Sequence, residues 1–186
     1  MSLPISKHFF TAMEFERMGQ AGVFRADARL ELLEGEIIEM SPIGSRHAAC
    51  VNFLSRSLNR KVGDATIVST QNPVRINDFS EPQPDVALLR PHADFYRTAH
   101  PTPADVLLII EVSDTTVEYD RQVKVPLYAG AGIEEVWIVN LPEEKIEVYA
   151  GLVGGVYQSI SCVGRDAEVR AQTVAGLVVS VAEVLG

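Results

Sequence analysis

The stretch that most constrains the fold covers residues 105–140 and reads DVLLIIEVSDTTVEYDRQVKVPLYAGAGIEEVWIVN. Residues 106–110 form an unbroken aliphatic run of strand length, which predicts a strand buried on both faces of a sheet. A helix that ends near residues 129–132 comes next, and residues 135–140 predict a second apolar strand. Strands that alternate with a helix in this way indicate an α/β domain.

Glu111 directly follows the aliphatic run and is expected to mark the end of the first of these strands. An ionised carboxylate at a buried position is costly unless a cationic group compensates its charge. A glutamate in this position therefore favours a functional site. The structural alternative is a buried ion pair with a nearby lysine or arginine.

Length and composition limit the class of protein. The chain has 186 residues, of which 47% are hydrophobic, so we expect one folded domain over residues 1–186 and no extensive disorder. No apolar run approaches the roughly 20 residues of a membrane helix, and the N-terminus lacks the features of a signal peptide. Cys50 and Cys162 lie far apart without metal-ligand spacing, which indicates a reducing, cytoplasmic location.

The net charge of −9 argues against nucleic-acid binding driven by overall charge. It leaves open an enzyme that approaches nucleic acid through a local basic patch or through bridging cations. The most basic element is a helix predicted over residues 45–62, with Arg46, Arg56, Arg60 and Lys61 on its polar face. A solvated helix face is the simpler interpretation of those charges.

The remaining elements follow from periodicity and turn residues. Thr11 and Glu14 have the spacing of a capping box and predict a helix over residues 11–19. Strands are predicted at residues 30–33, 37–40, 65–70, 73–76, 85–89, 145–149, 156–163 and 167–171, and a closing helix at 178–185. The predicted fold class is α/β in the broad sense, an α+β mixed sheet flanked by helices, with extra β-strands at the C-terminus.

Asp85 and Glu111 are the first candidates for chemistry. Asp85 begins one predicted strand and Glu111 ends another, so the two carboxylates converge if the strands are neighbours. Carboxylates at close quarters repel unless a divalent cation lies between them, which predicts an oxygen-ligand site for Mg²⁺ or Mn²⁺. For Asp85, which follows Pro84, a role in forming a turn is the alternative.

Lys124 lies on the helix that follows the first apolar strand. If this helix folds back along the sheet, the ammonium of Lys124 can pair with the carboxylates, orient a water or stabilise charge on a phosphate. Asp120 stands four residues earlier, and a simple helical ion pair between Asp120 and Lys124 is the alternative.

An ordered series of short motifs extends through most of the chain. It consists of Glu31–Glu36, His47, Gln71-Asn72-Pro73-Val74, Pro84-Asp85-Val86, Glu111-Val112-Ser113, residues 120–124, Tyr128 and residues 135–139. The series resembles the PD-(D/E)xK nuclease superfamily and, within it, the Uma-type restriction endonuclease family. The resemblance covers roughly residues 11–150 and implies a restriction-endonuclease-like core.

The resemblance implies that Asp85 and Glu111 are acidic metal ligands and that the Val112 carbonyl is a further oxygen ligand. The superfamily usually has a lysine two residues after the second acid, but Ser113 stands there. The lysine is then expected from the following helix, at Lys124.

Further residues are expected to support the site. By the resemblance, Glu31 is a further metal or water ligand and Gln71 adds a polar contact from a neighbouring strand. His47 could contact phosphate or a catalytic water, or it could only cap its helix and pack. Trp137 and Tyr128 are interpreted as core or interface aromatics.

The function implied is a Mg²⁺- or Mn²⁺-dependent endonuclease that hydrolyses phosphodiester bonds of DNA. A catalytically inactive module that uses the same fold for binding or self-association is the alternative. A homodimer is also expected, because cleavage of both strands of a duplex benefits from two related sites.

Overall fold

The computed structural model describes residues 6–186. Helix α1 (Ala12–Gln20) begins after the predicted capping box, in which the Thr11 hydroxyl accepts the Glu14 amide at 3.2 Å and the Glu14 carboxylate accepts the Thr11 amide at 2.8 Å. Strands β1 (Leu30–Leu33) and β2 (Glu36–Glu39) then form an antiparallel hairpin.

A six-stranded mixed sheet forms the centre of the fold. Its spatial order follows the chain through β3 (Ile67–Thr70), β4 (Val86–Leu89), β5 (Val106–Ser113), β6 (Val136–Asn140), β7 (Lys145–Val153) and β8 (Val156–Gly164). Strands β5 and β6 pair in parallel, and the other neighbours pair antiparallel. The parallel pair requires a crossover, which the helical segments between residues 117 and 130 supply.

Two apolar layers cover the two faces of this sheet. On one face, α2 (Ser45–Val62) packs with the C-terminal elements β9 (Glu168–Arg170), β10 (Val178–Ser180) and α5 (Val181–Leu185). On the other face lie α3 (Val117–Tyr119), a π-helical turn (Asp120–Lys124) and α4 (Val125–Gly130). This arrangement confirms the predicted mixed sheet flanked by helices.

Three elements differ from the sequence predictions. Residues 73–76 form no strand, because their amides are bonded to the loop carbonyls of Pro82, Pro101 and Ser80 and Pro73 has no amide hydrogen to donate. Residues 178–180 are a strand, and the closing helix begins only at Val181. Strand β5 continues to Ser113, so Glu111 lies within the strand and not at its end.

The helices were also compared with the length and hydropathy of a membrane-spanning helix. Within residues 6–186, no helix combines the length and the apolar character needed to span a bilayer.

Candidate active site

The pairing of β4 with β5 brings Asp85 and Glu111 together. Asp85 directly precedes β4, and because Val86 pairs with Ile110, Asp85 lies beside Glu111 on the neighbouring strand. The Asp85 amide donates to Glu111 Oε2 at 3.2 Å, and the Val112 amide donates to Asp85 Oδ2 at 2.9 Å. Each carboxylate is therefore held by the backbone of the other strand.

Lys124 reaches this pair from the π-helical turn. Its Nζ lies 3.1 Å from Glu31 Oε2 and 3.3 Å from Glu111 Oε1, and the Lys124 side chain is only 5% exposed. Glu31 lies on β1, where it also accepts the Gln83 amide at 3.2 Å. The structure thus places a buried ammonium between two carboxylates from different parts of the chain.

Tyr128 lies in the core, as predicted, and it also contacts the candidate site. It is fully buried on α4, and its hydroxyl donates to Glu111 Oε1 at 2.7 Å. The position of Tyr128, four residues after Lys124, is the signal that could have identified it, since residues at this spacing lie on one helix face.

Asp85 has two further partners. His47, in the first turn of α2, has its Nε2 2.9 Å from Asp85 Oδ2, and Gln71 donates from Nε2 to Asp85 Oδ1 at 3.2 Å. Because an ionised carboxylate only accepts hydrogen bonds, His47 Nε2 carries the proton. The buried Nδ1 of His47 has no hydrogen-bond partner among residues 6–186. Gln71 adopts φ of +53°, a strained backbone conformation at the edge of the site.

Asp120 is held by hydroxyl groups. Ser113 Oγ donates to Asp120 Oδ2 at 2.6 Å, and Thr116 Oγ1 donates to the same oxygen at 3.0 Å. Ser113, at the position where the superfamily usually has lysine, therefore links β5 to the π-helical turn. The alternative prediction of a simple helical ion pair between Asp120 and Lys124 is wrong, because the ammonium of Lys124 pairs with Glu31 and Glu111.

The two central carboxyl groups have opposite pKa shifts. Burial raises the pKa of Glu111 to about 8, with Lys124 opposing this shift and Asp120 and Asp85 adding to it. Burial also acts on Asp85, but hydrogen bonds from His47, Val112 and Gln71 outweigh it and lower the pKa of Asp85. Asp85 therefore favours its charged form, whereas Glu111 depends on Lys124 to compensate its charge.

Lys124 remains a cation despite its burial. Burial lowers its pKa, but the negative charges of Glu111, Glu31 and Asp120 outweigh that effect and raise the pKa of Lys124. The ammonium is thus positively charged where it contacts Glu31 and Glu111.

These groups line a cavity of about 570 Å³. Its ionisable lining consists of Glu31, Glu39, Asp85, Glu111, Asp114 and Asp120 opposite Arg29, His47 and Lys124. The cavity is therefore predominantly acidic. Arg29 and Tyr119 contribute to the wall without any motif in the sequence that could have indicated them.

The donor set of the pair fits a hard divalent cation. Each carboxylate has about four lone-pair sites, and Asp85 and Glu111 each accept three contacts, which leaves capacity on both. Mg²⁺ is commonly held by one or two carboxylates and keeps several waters. Within residues 6–186, no group of three or more His, Cys, Asp or Glu side chains is arranged to hold a metal. Any site here thus depends on the two carboxylates together with a backbone oxygen such as that of Val112.

The fold, with an acidic pair on neighbouring strands and a lysine on the crossover helix, defines the restriction-endonuclease-like class. The chain belongs to the Uma2 family, described as "Putative restriction endonuclease", whose model matches residues 12–182. This match confirms the family resemblance inferred from the ordered motifs.

A solved structure has the same fold. It is described as a putative nuclease belonging to DUF820 from Anabaena variabilis ATCC 29413 and is 16% identical, with a TM-score of 0.74. The similarity covers 95% of this chain and 97% of that chain. The comparison with curated proteins gives no match.

Proposed function

We propose that this protein is a divalent-cation-dependent endonuclease that hydrolyses phosphodiester bonds of DNA. One observation carries the proposal, namely that Asp85 and Glu111 lie hydrogen-bonded in a cavity with the buried ammonium of Lys124 3.3 Å from Glu111. Membership of the Uma2 family supports a nuclease activity.

In this proposal Asp85, Glu111 and the Val112 carbonyl hold Mg²⁺ or Mn²⁺. When bound, the cation supplies a Lewis acid for a phosphate oxygen and lowers the pKa of a coordinated water. His47 and Gln71 hold the Asp85 carboxylate in place through the hydrogen bonds already described. Their role is to position Asp85.

Lys124 stabilises the negative charge that develops on the phosphate during hydrolysis. Glu31 and Tyr128 restrict the space around Lys124, since Glu31 contacts the ammonium and Tyr128 holds the Glu111 oxygen beside it. Asp120 fixes the beginning of the π-helical turn through Ser113 and Thr116. The lysine is thereby presented from the crossover helix.

The second candidate function is a catalytically inactive module for binding or self-association. One observation favours it, because Lys124 already pairs with Glu31 and Glu111 and so compensates their charge without a metal. The predominantly acidic cavity also repels a phosphate backbone unless cations are bound.

The cleavage experiment separates these two functions. Supercoiled plasmid and single-stranded DNA are incubated with the protein in Mg²⁺, in Mn²⁺ or in EDTA. We expect cleavage in either metal and none in EDTA, and a loss of at least about a hundredfold in Asp85→Ala, Glu111→Ala and Lys124→Ala. Lys7→Ala, which removes an exposed lysine that does not line the cavity, is the matched control and should retain the wild-type rate. Cleavage that survives all three site substitutions would exclude the assignment, and absence of both metal binding and cleavage would favour the inactive module.

Metal binding is also expected to stabilise the fold. A ligand present at a hundredfold excess over its Kd raises the free energy of unfolding by about 2.7 kcal/mol. Thermal unfolding of the wild type should therefore shift upwards as Mg²⁺ is added and return when EDTA removes it. Asp85→Asn should show no such shift, whereas Asp64→Asn, at an exposed position, should respond as the wild type does. An equal shift in Asp85→Asn would place the metal elsewhere.

The remaining functional predictions are a cytoplasmic location and a homodimer. The first rests on Cys50 and Cys162, both of which are free thiols in the structure. The second rests on the advantage of two related sites for cutting a duplex.

A further inference from the structure

Strand β8 is an unusually unprotected edge of the central sheet. It is the last of the six strands, and its sequence from Val156 to Gly164 is VYQSISCVG, without a charged residue or a proline. The opposite edge, β3, has four residues and packs against α2. Natural proteins normally protect edge strands with charges, prolines, bulges or a covering element, because an open edge invites another strand to pair.

The backbone of β8 has hydrogen-bonding capacity on the side away from β7. Its ladder to β7 extends from Val156 to Gly164 and is interrupted at Gln158, opposite Gly151. Outside this ladder, the Val156 carbonyl accepts the Gln158 side chain at 3.3 Å and the Gly164 carbonyl accepts the Ala167 amide at 3.1 Å. Both contacts lie at the ends of the strand. Within residues 6–186, no other hydrogen bond occupies the outward amides and carbonyls in the middle of β8. These groups are therefore free to pair with a strand of another molecule.

Exposed apolar side chains accompany this backbone. Ile160, at the centre of β8, is 63% exposed, and Val156 and Val153 at the end of the hairpin are 58% and 65% exposed. The chain carries a net charge of −9, so two copies repel each other over most of their surfaces. An uncharged strand with apolar side chains is therefore the surface on which two copies can approach at least electrostatic cost.

We propose that β8 pairs antiparallel with β8 of a second copy across a two-fold axis. Because β8 runs from residue 156 to residue 164, an axis at Ile160 pairs all nine residues and sets each Ile160 opposite its symmetry mate. The two six-stranded sheets then join into one continuous sheet. The interface is isologous and uses β8 of both copies, so this contact ends at the dimer. Its main-chain hydrogen bonds follow the known mode of strand addition.

This proposal does not depend on nuclease activity. It identifies the surface of the expected homodimer from the edge strand alone, so a failed cleavage assay would leave it intact. A monomeric protein that still cleaves DNA would refute the interface and leave the proposed function unchanged.

The first test is the oligomeric state, measured by sedimentation velocity over a dilution series. The wild type should be a dimer, and Ile160→Glu, which sets like charges opposite each other at the axis, should raise the dimer Kd by at least about tenfold. Val23→Glu is the matched control, because Val23 is 61% exposed and lies outside the sheet. It should remain as dimeric as the wild type. Circular dichroism checks that both variants fold.

The second test locates the axis with thiols. In a Cys162→Ser background, Ile160→Cys sets two thiols opposite each other, with Cβ atoms about 4.5–5.5 Å apart. A short bifunctional thiol reagent should link this variant into a species of twice the mass, and Val23→Cys in the same background should stay unlinked. A wild type that is monomeric throughout would overturn the proposal. So would a dimer that resists Ile160→Glu and leaves Ile160→Cys unlinked, or association into open-ended assemblies.

Discussion

Replacing Lys124 with methionine is expected to abolish cleavage and to lower the free energy of unfolding in EDTA by about 3–5 kcal/mol. The ammonium lies 3.1 Å from Glu31 and 3.3 Å from Glu111, and all three side chains are buried. Methionine has a similar length and no charge, so it leaves two buried carboxylates without their cation. Urea unfolding of both proteins in EDTA measures the difference in stability, and the plasmid assay measures the loss of cleavage.

Mg²⁺ should act differently on this variant. Because a divalent cation can replace the missing positive charge, Mg²⁺ should stabilise Lys124→Met more than it stabilises the wild type. Lys124→Arg keeps the charge and is the control, so it should lose less stability in EDTA. If Lys124→Met unfolds at the wild-type urea concentration in EDTA, the ammonium does not compensate these carboxylates.

The apolar runs were sufficient to predict most of the fold. Residues 106–110 and 135–140 contain few polar groups, and such runs are stable mainly in the centre of a sheet covered on both faces. The strands that they predict are the neighbouring parallel pair β5 and β6. Local signals were equally informative for α1, whose capping box is formed within four consecutive residues.

The details of the site depend on tertiary contacts that no local pattern encodes. Strand β5 continues past Glu111 because Val112 and Ser113 pair with Val139 and Asn140 of β6. The π-helical turn at Asp120–Lys124 likewise has no signature in the sequence, although it carries the candidate lysine. Tyr128 lies in the core, as the sequence predicts, but its hydrogen bond to Glu111 is a tertiary contact that the residue type alone does not indicate.

A second ion pair holds the helix that carries Lys124. Arg121 lies in the same π-helical turn, three residues before Lys124. Its Nε donates to Glu147 Oε2 at 2.9 Å, and its Nη2 donates to the other oxygen of that carboxylate. Glu111 pairs with Ile138 of β6 and Ile138 pairs with Glu147 of β7, so both glutamates lie in one row on one sheet face. The segment is therefore attached at two points, through Lys124 to Glu111 and through Arg121 to Glu147. The ion pair of Arg121 thus helps to hold the segment that carries Lys124 against the sheet.

Replacing Glu147 with glutamine is expected to remove about 3 kcal/mol of stability at neutral pH. Burial raises the pKa of Glu147, but hydrogen bonds from Arg121, Asn140 and Tyr149 outweigh it and lower that pKa from 4.5 to about 2. A carboxyl group with a lowered pKa in the folded state stabilises the fold fully above its unfolded pKa, and this contribution disappears as the pH falls through the folded pKa.

The free energy of unfolding, measured in urea at a series of pH values, tests this contribution. The difference between the wild type and Glu147→Gln should be constant above pH 4.5 and shrink to nothing as the pH approaches 2. Glu168→Gln, at an exposed position of β9, should follow the wild type at every pH. A deficit in Glu147→Gln that persists unchanged down to pH 2 would show that the side chain acts through packing and not through its charge. A slower cleavage rate in Glu147→Gln, with unchanged Mg²⁺ affinity, would place its effect on the position of Lys124, because Glu147 lies apart from the proposed metal ligands.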